Sequence, residues 1–162
     1  MNFLKKKYDL KNIKKDFLFL PNHHWKHKNH IIVYKALHYL NLKYKKKIYL
    51  ITSGNLNDYR FPNHQNYLNN FVIRNNLTDQ IINLGIINYD EVLSFMSHSS
   101  ALINPSYIEG WGNMIDQANY FKKLIFVSKN PVHLEQNPKH GIFFNSNSHL
   151  DLAIKLKNFF FN

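Results

Sequence analysis

Short apolar runs alternate along this chain with segments in which apolar residues recur at helical spacing. Six such runs are the predicted strands, at residues 16–20, 47–53, 80–85, 101–106, 124–128 and 141–144. Between the first two runs, Val33, Ala36, Leu37 and Leu40 fall on one face of a helix. Strands that are apolar almost throughout are buried on both faces, which requires a parallel sheet covered by helices on both sides. The alternation therefore predicts an α/β, Rossmann-like domain with a parallel sheet of about six strands.

The length of 162 residues fits a single domain with a real core, because a domain of about 150 residues buries roughly 70% of its unfolded surface. We interpret residues 1–15 as a basic lead-in and residues 16–162 as the folded domain. No apolar run approaches the roughly 20 residues that span a bilayer, and the N-terminal run is too short for a signal peptide. Together with the absence of cysteine, these features predict a cytoplasmic protein.

The chain is strongly basic, with a formal net charge of +11. Such a charge suggests anionic partners, such as phosphate-bearing ligands or the anionic inner face of a membrane. Lys, Asn, Ile, Phe and Tyr are all abundant, however, and an AT-rich genome gives any protein this composition. The charge alone therefore selects no partner.

Two polar loops that follow predicted strands are the candidate ligand-binding segments. Residues Pro21 to His30, PNHHWKHKNH, follow the first strand, and residues 105–114, PSYIEGWGNM, follow the fourth. In open parallel sheets, ligands lie beyond the carboxyl ends of the strands. Gly110 and Gly112 let a backbone approach a ligand closely, and the N–H groups at the following helix start favour a phosphate. The two loops thus predict one anion-binding site.

The four histidines of the first loop leave two alternatives. A zinc site would need further ligands at defined spacing, and no cysteine or neighbouring carboxylate supplies them. Basic residues interleaved with aromatic ones could also bind single-stranded nucleic acid, although no signature of a known nucleic-acid-binding module is present. We therefore expect neither a metal nor a nucleic-acid partner, and keep the single-strand binder as the alternative.

Three segments together carry a family resemblance: HKNH at 27–30, NPSYIEGWGNMIDQANYFKKLIFVS at 104–128, and NPVHLEQNP at 130–138. In order and spacing they resemble the C-terminal, donor-binding domain of the group-1 GT-B glycosyltransferases. The HKNH and PVHxEQ elements resemble a bacterial mannosyl- or rhamnosyltransferase-like subgroup. The resemblance runs from Asp16 to the C-terminus and implies that the chain forms one half of a GT-B fold.

The resemblance implies a role for four polar residues. Lys28 matches the lysine that binds the donor diphosphate and stabilises the leaving group, and Glu109 matches the first glutamate of the E-x7-E motif, which binds the transferred sugar. These two are the implied catalytic residues. Gln117 occupies the position of the second glutamate, which usually accepts the ribose hydroxyls. Asn22 occupies a position where many relatives carry an arginine, so one phosphate-binding cation is missing.

The remaining implied donor contacts come from backbone and loop residues. Ile86 and Ile87 match the segment that meets the nucleotide base. The loop and helix start that hold the diphosphate correspond to Gly110, Trp111, Gly112, Asn113 and Met114. No metal or other cofactor is implied.

The implied function is transfer of a hexosyl group from a nucleotide sugar (UDP-, GDP- or dTDP-linked) in cell-surface polysaccharide or glycoconjugate synthesis. In the family, the acceptor site lies in an N-terminal GT-B half, which we expect on another chain, so the isolated chain should be inactive. A peripheral contact with the inner face of the membrane is a further expectation. The alternatives are a non-catalytic remnant or partner-binding module, and a single-stranded nucleic-acid binder.

Overall fold

The fold is a parallel α/β sandwich in a computed structural model that describes residues 2–10, 13 and 16–161. Within these residues, all strand pairs are parallel and the strand order is β3-β2-β1-β4-β5-β6. The strands are β1 Phe17–Leu20, β2 Tyr49–Thr52, β3 Ile81–Asn83, β4 Ala101–Asn104, β5 Ile125–Ser128 and β6 Gly141–Phe144. The predicted Rossmann-like sheet of six strands is confirmed, and each strand lies within or at the edge of its predicted run.

Helices cover both faces of the sheet. They are α1 Asn2–Lys7, α2 His30–Tyr44, α3 His64–Arg74, α4 Tyr89–His98, α5 Asn113–Tyr120, α6 Pro131–Gln136 and α7 His149–Phe161, with a 3₁₀ turn at Lys26–Lys28. None of them, in the described part of the chain, has the length and apolar character needed to cross a bilayer. The start of α4 shows how local sequence sets a boundary, since the Glu91 carboxylate accepts a hydrogen bond from the Asn88 N–H at 3.2 Å.

Strand β1 explains why its run is apolar throughout. Leu18 and Leu20 pack in one core cluster with α2 and α7, whereas Phe17 and Phe19 pack in a second cluster with α4 and α5. Successive side chains of a strand point to opposite faces, so a strand covered on both sides has no position for a polar residue. Burial on both faces therefore fixes β1 at the centre of the domain.

The N-terminal segment contributes to this core. Leu4, Leu10 and Ile13 are buried in the second cluster, and the Lys7 ammonium and the Tyr8 hydroxyl both donate to Glu91. The boundary between residues 15 and 16 stays a prediction, and Met1, Lys11, Asn12, Lys14, Lys15 and Asn162 lie outside the described residues. What sequence reasoning treated as a basic lead-in nevertheless carries apolar side chains that cover part of one sheet face.

The strand order places a crevice between β1 and β4. From these two central strands the chain proceeds in opposite directions across the sheet, so the loops after Leu20 and Asn104 diverge. Such a reversal is where open α/β sheets bind ligands. Both loops selected from the sequence therefore lie at this crevice.

Candidate functional site

Lys28 and Glu109 form an ion pair at the crevice. The Lys28 ammonium lies 2.7 Å from Oε2 and 2.8 Å from Oε1 of Glu109, and the two side chains are only 14% and 8% exposed. Lys28 ends the 3₁₀ turn, and Asn29 then adopts a left-handed conformation (φ 55°) that leads into α2. The two residues implied to be catalytic thus come together from positions 81 residues apart.

The surroundings of Glu109 keep it ionised. Burial opposes ionisation, but hydrogen bonding from Lys28, with smaller contributions from Ser106 and Asn104, outweighs burial and holds the pKa of Glu109 below its ordinary value. An ionised carboxylate only accepts hydrogen bonds. Glu109 is therefore suited to receive hydroxyl groups from a ligand.

Asn104, which sequence reasoning missed, links Asn22 to this pair. Its Oδ1 accepts hydrogen bonds from Asn22 Nδ2 at 3.0 Å and from Ser106 Oγ at 2.8 Å, and its Nδ2 donates to Glu109 at 3.3 Å. Asn104 is the last residue of β4 and is almost fully buried. The signal for it was a polar residue ending an apolar run.

The glycine loop before α5 is held by a second residue that sequence reasoning missed. The Gln136 side chain accepts from the Gly112 N–H at 3.2 Å and donates to the Gly112 carbonyl at 3.1 Å. A Cβ at Gly112 would lie 2.9 Å from Gln136 Oε1, so a side chain there would displace the end of Gln136 from these two hydrogen bonds. The Gly112 N–H is thus paired with Gln136, and the first-turn N–H groups of Asn113 and Met114 are the donors at this helix start that remain for an anion.

The implied donor residues line two adjoining cavities, which we call the donor cleft. One, of about 220 Å³, contains Lys28, Glu109 and the start of α5; the other, of about 350 Å³, extends between Ile86, Ile87 and Gly54. Both cavities are lined by Pro21, Asn22 and Lys28. The implied residues that line the first cavity are Asn22, Lys28, Glu109, Trp111, Gly112, Asn113, Met114 and Gln117.

Of the implied donor residues, Gly110 lies outside the donor cleft, and Trp111 and Gln117 are hydrogen-bonded to neighbouring side chains. Gly110 lines a neighbouring groove, together with Glu109, rather than the donor cleft. Trp111 is exposed, and its indole N–H donates to Asp116 at 3.1 Å. Gln117 is half-buried on α5, and its side-chain amide donates to the Tyr89 hydroxyl at 2.8 Å.

Gly54, after β2, fixes the loop that carries Asn22. It has φ +138°, and a Cβ there would lie 2.7 Å from the Asn22 carbonyl oxygen. Its N–H donates to the Gly85 carbonyl at 2.8 Å, which joins it to the loop before Ile86. Only glycine combines this backbone conformation with this contact. The sequence signal was the glycine that closes the run KIYLITSG.

The histidines of the first loop are largely structural. His24 and His30 are fully buried with ring centroids 4.2 Å apart, and His24 contacts Gln65 and Thr52 through its two ring nitrogens. Burial lowers the pKa of His24 to about 4 and that of His30 well below its ordinary value, so both are neutral. In the described residues, no three His, Asp or Glu side chains are grouped to hold a metal ion. The two buried rings therefore pack this loop onto the domain.

Comparison with known proteins identifies the family. The model of the family "Glycosyl transferases group 1" matches residues 1–161. The chain belongs to this family. The resemblance inferred from the HKNH, PSYIEGWG and PVHLEQ segments is thereby confirmed, while its finer subgroup stays a prediction. No curated protein matches the chain significantly.

Solved structures of this glycosyltransferase class share the fold. A glycosyltransferase from Rickettsia africae superposes with a TM-score of 0.83 at 22% identity, over 98% of this chain and 41% of that one. HepE from Anabaena in complex with UDP gives 0.80 at 16% identity, over 97% and 42%. The C-terminal domain of LpcC from Francisella tularensis gives 0.76 at 20% identity, over 95% and 80%. The chain thus spans about two fifths of the first two proteins, and nearly all of it corresponds to a C-terminal domain.

Proposed function

We propose that this chain is the donor-binding half of a glycosyltransferase that transfers a hexosyl group from a nucleotide sugar in cell-surface polysaccharide or glycoconjugate synthesis. The observation that carries the proposal is the Lys28–Glu109 pair at the mouth of the donor cleft. The structures of HepE with UDP and with UDP-glucose support a nucleotide-sugar ligand for a domain of this fold.

The geometry suggests how the donor would be held. The Lys28 ammonium and the N–H groups at the start of α5 would share the diphosphate charge, while Glu109 would accept hydrogen bonds from the sugar. During transfer, the bond between the sugar C1 and the phosphate oxygen breaks, a bond from C1 to the acceptor oxygen forms, and the acceptor hydroxyl gives its proton to the leaving diphosphate or to water. The diphosphate leaves with the bonding electrons, so a fixed cation beside it stabilises the transition state without a metal.

Two neutral residues in the cleft imply modest affinity. Asn22 and Gln117 provide amides where charged groups would bind phosphate or ribose more strongly, and each lost charge-assisted bond corresponds to roughly 1–2 kcal/mol. Ile86 and Ile87 present mainly backbone to the base, so the side chains select no nucleotide. We therefore propose binding of UDP, GDP or dTDP in the high-micromolar range.

Calorimetric titration of the purified chain with UDP, GDP, ADP and dTDP tests this proposal. At least one should bind without added Mg²⁺. Lys28→Met should weaken binding by about tenfold or more, as loss of a charged hydrogen-bond donor implies. Lys26→Met is the matched control, because Lys26 lies in the same turn but outside the donor cleft. The donor site is refuted if none of the four nucleotides binds, or if Lys28→Met and Lys26→Met weaken binding equally.

We also propose that an N-terminal GT-B half on another chain supplies the acceptor's orientation, which is worth roughly 7–11 kcal/mol of barrier lowering. The purified chain alone should give no sugar transfer to simple acceptors. Transfer should appear when an N-terminal half is co-expressed, and Glu109→Ala should abolish most of it. Robust transfer by the lone chain would contradict the two-chain proposal. Failure with every partner would favour a non-catalytic remnant.

The proposed contact with the inner membrane face has a matching surface. Lys45, Lys46 and Lys47 are exposed before β2, at the sheet edge opposite the donor cleft. Each basic residue near an anionic bilayer contributes about 1 kcal/mol. Co-sedimentation with phosphatidylglycerol vesicles should be lost in the triple glutamate variant K45E/K46E/K47E. Equal sedimentation of both proteins would argue against this contact.

A further inference from the structure

A second groove, which we call the outer groove, begins at Glu109. It consists of two adjoining cavities of about 550 and 570 Å³ that share Lys26, Arg60, Phe61 and Tyr107. One end is lined by Glu109 and the other by Tyr67 of α3. Apart from Glu109, it shares no lining residue with the donor cleft, and it is the larger of the two.

The outer groove and the donor cleft lie on opposite sides of the ion pair. The donor cleft is bordered by Val92 of α4 and Gln117 of α5, whose helices cover one sheet face. The outer groove is bordered by Ile31 of α2 and Tyr67 of α3, which cover the other face. Both lead to Glu109. A molecule in the outer groove would therefore meet a sugar held by Glu109 from the side away from the nucleotide.

Exposed aromatic rings line the outer groove. Phe61, Tyr67 and Tyr107 are 44%, 49% and 42% exposed. Three half-exposed rings in one concavity, with a few polar groups among them, are typical of a binding site rather than of ordinary surface. A pyranose ring offers an apolar C–H face to such rings and hydroxyl groups at its rim.

The polar groups of the outer groove are held in place or lack partners. The buried Asp58 carboxylate accepts hydrogen bonds from the Lys26 N–H and from Arg60 Nε, both at 3.0 Å, which ties two loops together. Asn29 is 1% exposed, yet its Oδ1 has no hydrogen-bond partner within the described residues. His64 is only partly buried, but its Nε2 atom is buried and also has no hydrogen-bond partner within the described residues; both residues line the groove. Such buried groups are costly when unpaired, and hydroxyl groups could pair with them.

We propose that the outer groove binds the saccharide acceptor, so that part of the acceptor site lies on this chain. The proposal rests on the proposed function, since Glu109 acts as the meeting point of donor sugar and acceptor. A saccharide fits because it combines faces for Phe61, Tyr67 and Tyr107 with hydroxyl groups for Asn29 and His64. The exposed cations Lys26 and Arg60 add hydrogen-bond donors at the rim of the groove.

Amide-detected NMR of the ¹⁵N-labelled chain tests the proposal. The probes are the methyl glycosides of glucose, mannose, rhamnose and glucuronic acid, each titrated to millimolar concentration with and without UDP. At least one glycoside should shift the amides of Phe61, Tyr107 and Ile108. UDP should instead shift those of Ile86 and Asn113. Glycoside shifts that are absent in both conditions, or confined to the donor cleft, refute the outer groove as a saccharide site.

Matched variants separate the two sites. Phe61→Ala and Tyr107→Ala should each weaken glycoside binding by about tenfold and leave UDP binding unchanged, while Phe61→Tyr should retain it. Tyr120→Ala, which removes a more exposed aromatic side chain at the end of α5 and outside the outer groove, should alter neither. If Phe61→Ala binds glycoside as tightly as the wild type, the groove assignment is wrong. If UDP does not bind to the wild type, the donor proposal is wrong. Glycoside shifts at the Phe61 amide would still support the outer groove in that case.

Discussion

Removing one member of the Lys28–Glu109 pair should lower the free energy of unfolding by more than removing both members does. At 2.7 Å and an effective dielectric constant near 20, the attraction is about 6 kcal/mol before desolvation is subtracted. Removing one member of a buried pair leaves an uncompensated charge and costs about 3–5 kcal/mol, whereas apolar replacement of both members is often close to neutral. Both side chains keep some exposure, 14% and 8%, and this contact with solvent places the pair near the low end of that range.

We therefore expect Lys28→Met and Glu109→Leu each to lower the free energy of unfolding by about 3 kcal/mol at pH 7. The double variant should lose less than either single one. Urea unfolding followed by circular dichroism gives these values, and the double-mutant cycle isolates the coupling. Lys26→Met again serves as the control and should cost no more than about 1 kcal/mol, since the Lys26 ammonium only contacts the Phe61 ring, at 4.2 Å from its centroid.

The pH dependence gives a second readout of the same pair. With Lys28 removed, burial dominates and the pKa of Glu109 should rise above its ordinary value, so that the carboxyl accepts a proton as the pH falls. The difference in stability between wild type and Lys28→Met should therefore be largest near pH 7 and shrink towards pH 4. The reasoning is refuted if each single variant loses less than about 1 kcal/mol of the free energy of unfolding, the double variant loses the sum of the two, and neither loss depends on pH. Such a result would indicate an ion pair that is screened by solvent.

Three further predictions concern other residues. Burial lowers the pKa of His24 from the ordinary 6.5 to about 4 in the folded protein. About 3 kcal/mol of the free energy of unfolding is therefore present above pH 6.5 and lost as the pH falls towards 4. In His24→Gln, the midpoint of urea unfolding should change less with pH across this window. Gly54→Ala should cost at least about 2 kcal/mol because its Cβ would meet the backbone of Asn22, whereas Gly110→Ala, with open space around it, should cost little in the same unfolding assay. By calorimetry, Gln117→Glu should tighten UDP binding or leave it unchanged and Gln117→Leu should weaken it; a tie between Leu and wild type would place Gln117 outside the site.

The sheet could be predicted because burial on both faces leaves a direct mark on sequence. A strand such as β1, with Phe17 and Leu18 facing opposite core clusters, must be apolar at every position. The N-terminal segment was harder, since Leu4, Leu10 and Ile13 stand among lysines without a regular period. Their burial depends on tertiary contacts with α4, which local periodicity does not encode.

The site was predictable as a set of residues but not as an arrangement. Motif spacing selected Lys28 and Glu109, yet nothing in the sequence says that they bind each other, because their contact depends on β1 and β4 being neighbours. Asn104 and Gln136 were missed for the same reason: each acts on a loop distant in sequence. Polar residues that hold other polar residues carry no local pattern, so only the fold reveals them.

The pairing of Lys28 with Glu109 also bears on which ligand fits the proposed site. A diphosphate that drew the ammonium away would leave the Glu109 carboxylate buried and without its cation. A nucleotide sugar supplies both the phosphate charge for Lys28 and hydroxyl groups for Glu109, so it alone replaces what each partner gives up. In the proposed site, the ion pair would thus favour the complete nucleotide sugar over its nucleoside diphosphate product, and it would hold both loops in position before the donor binds.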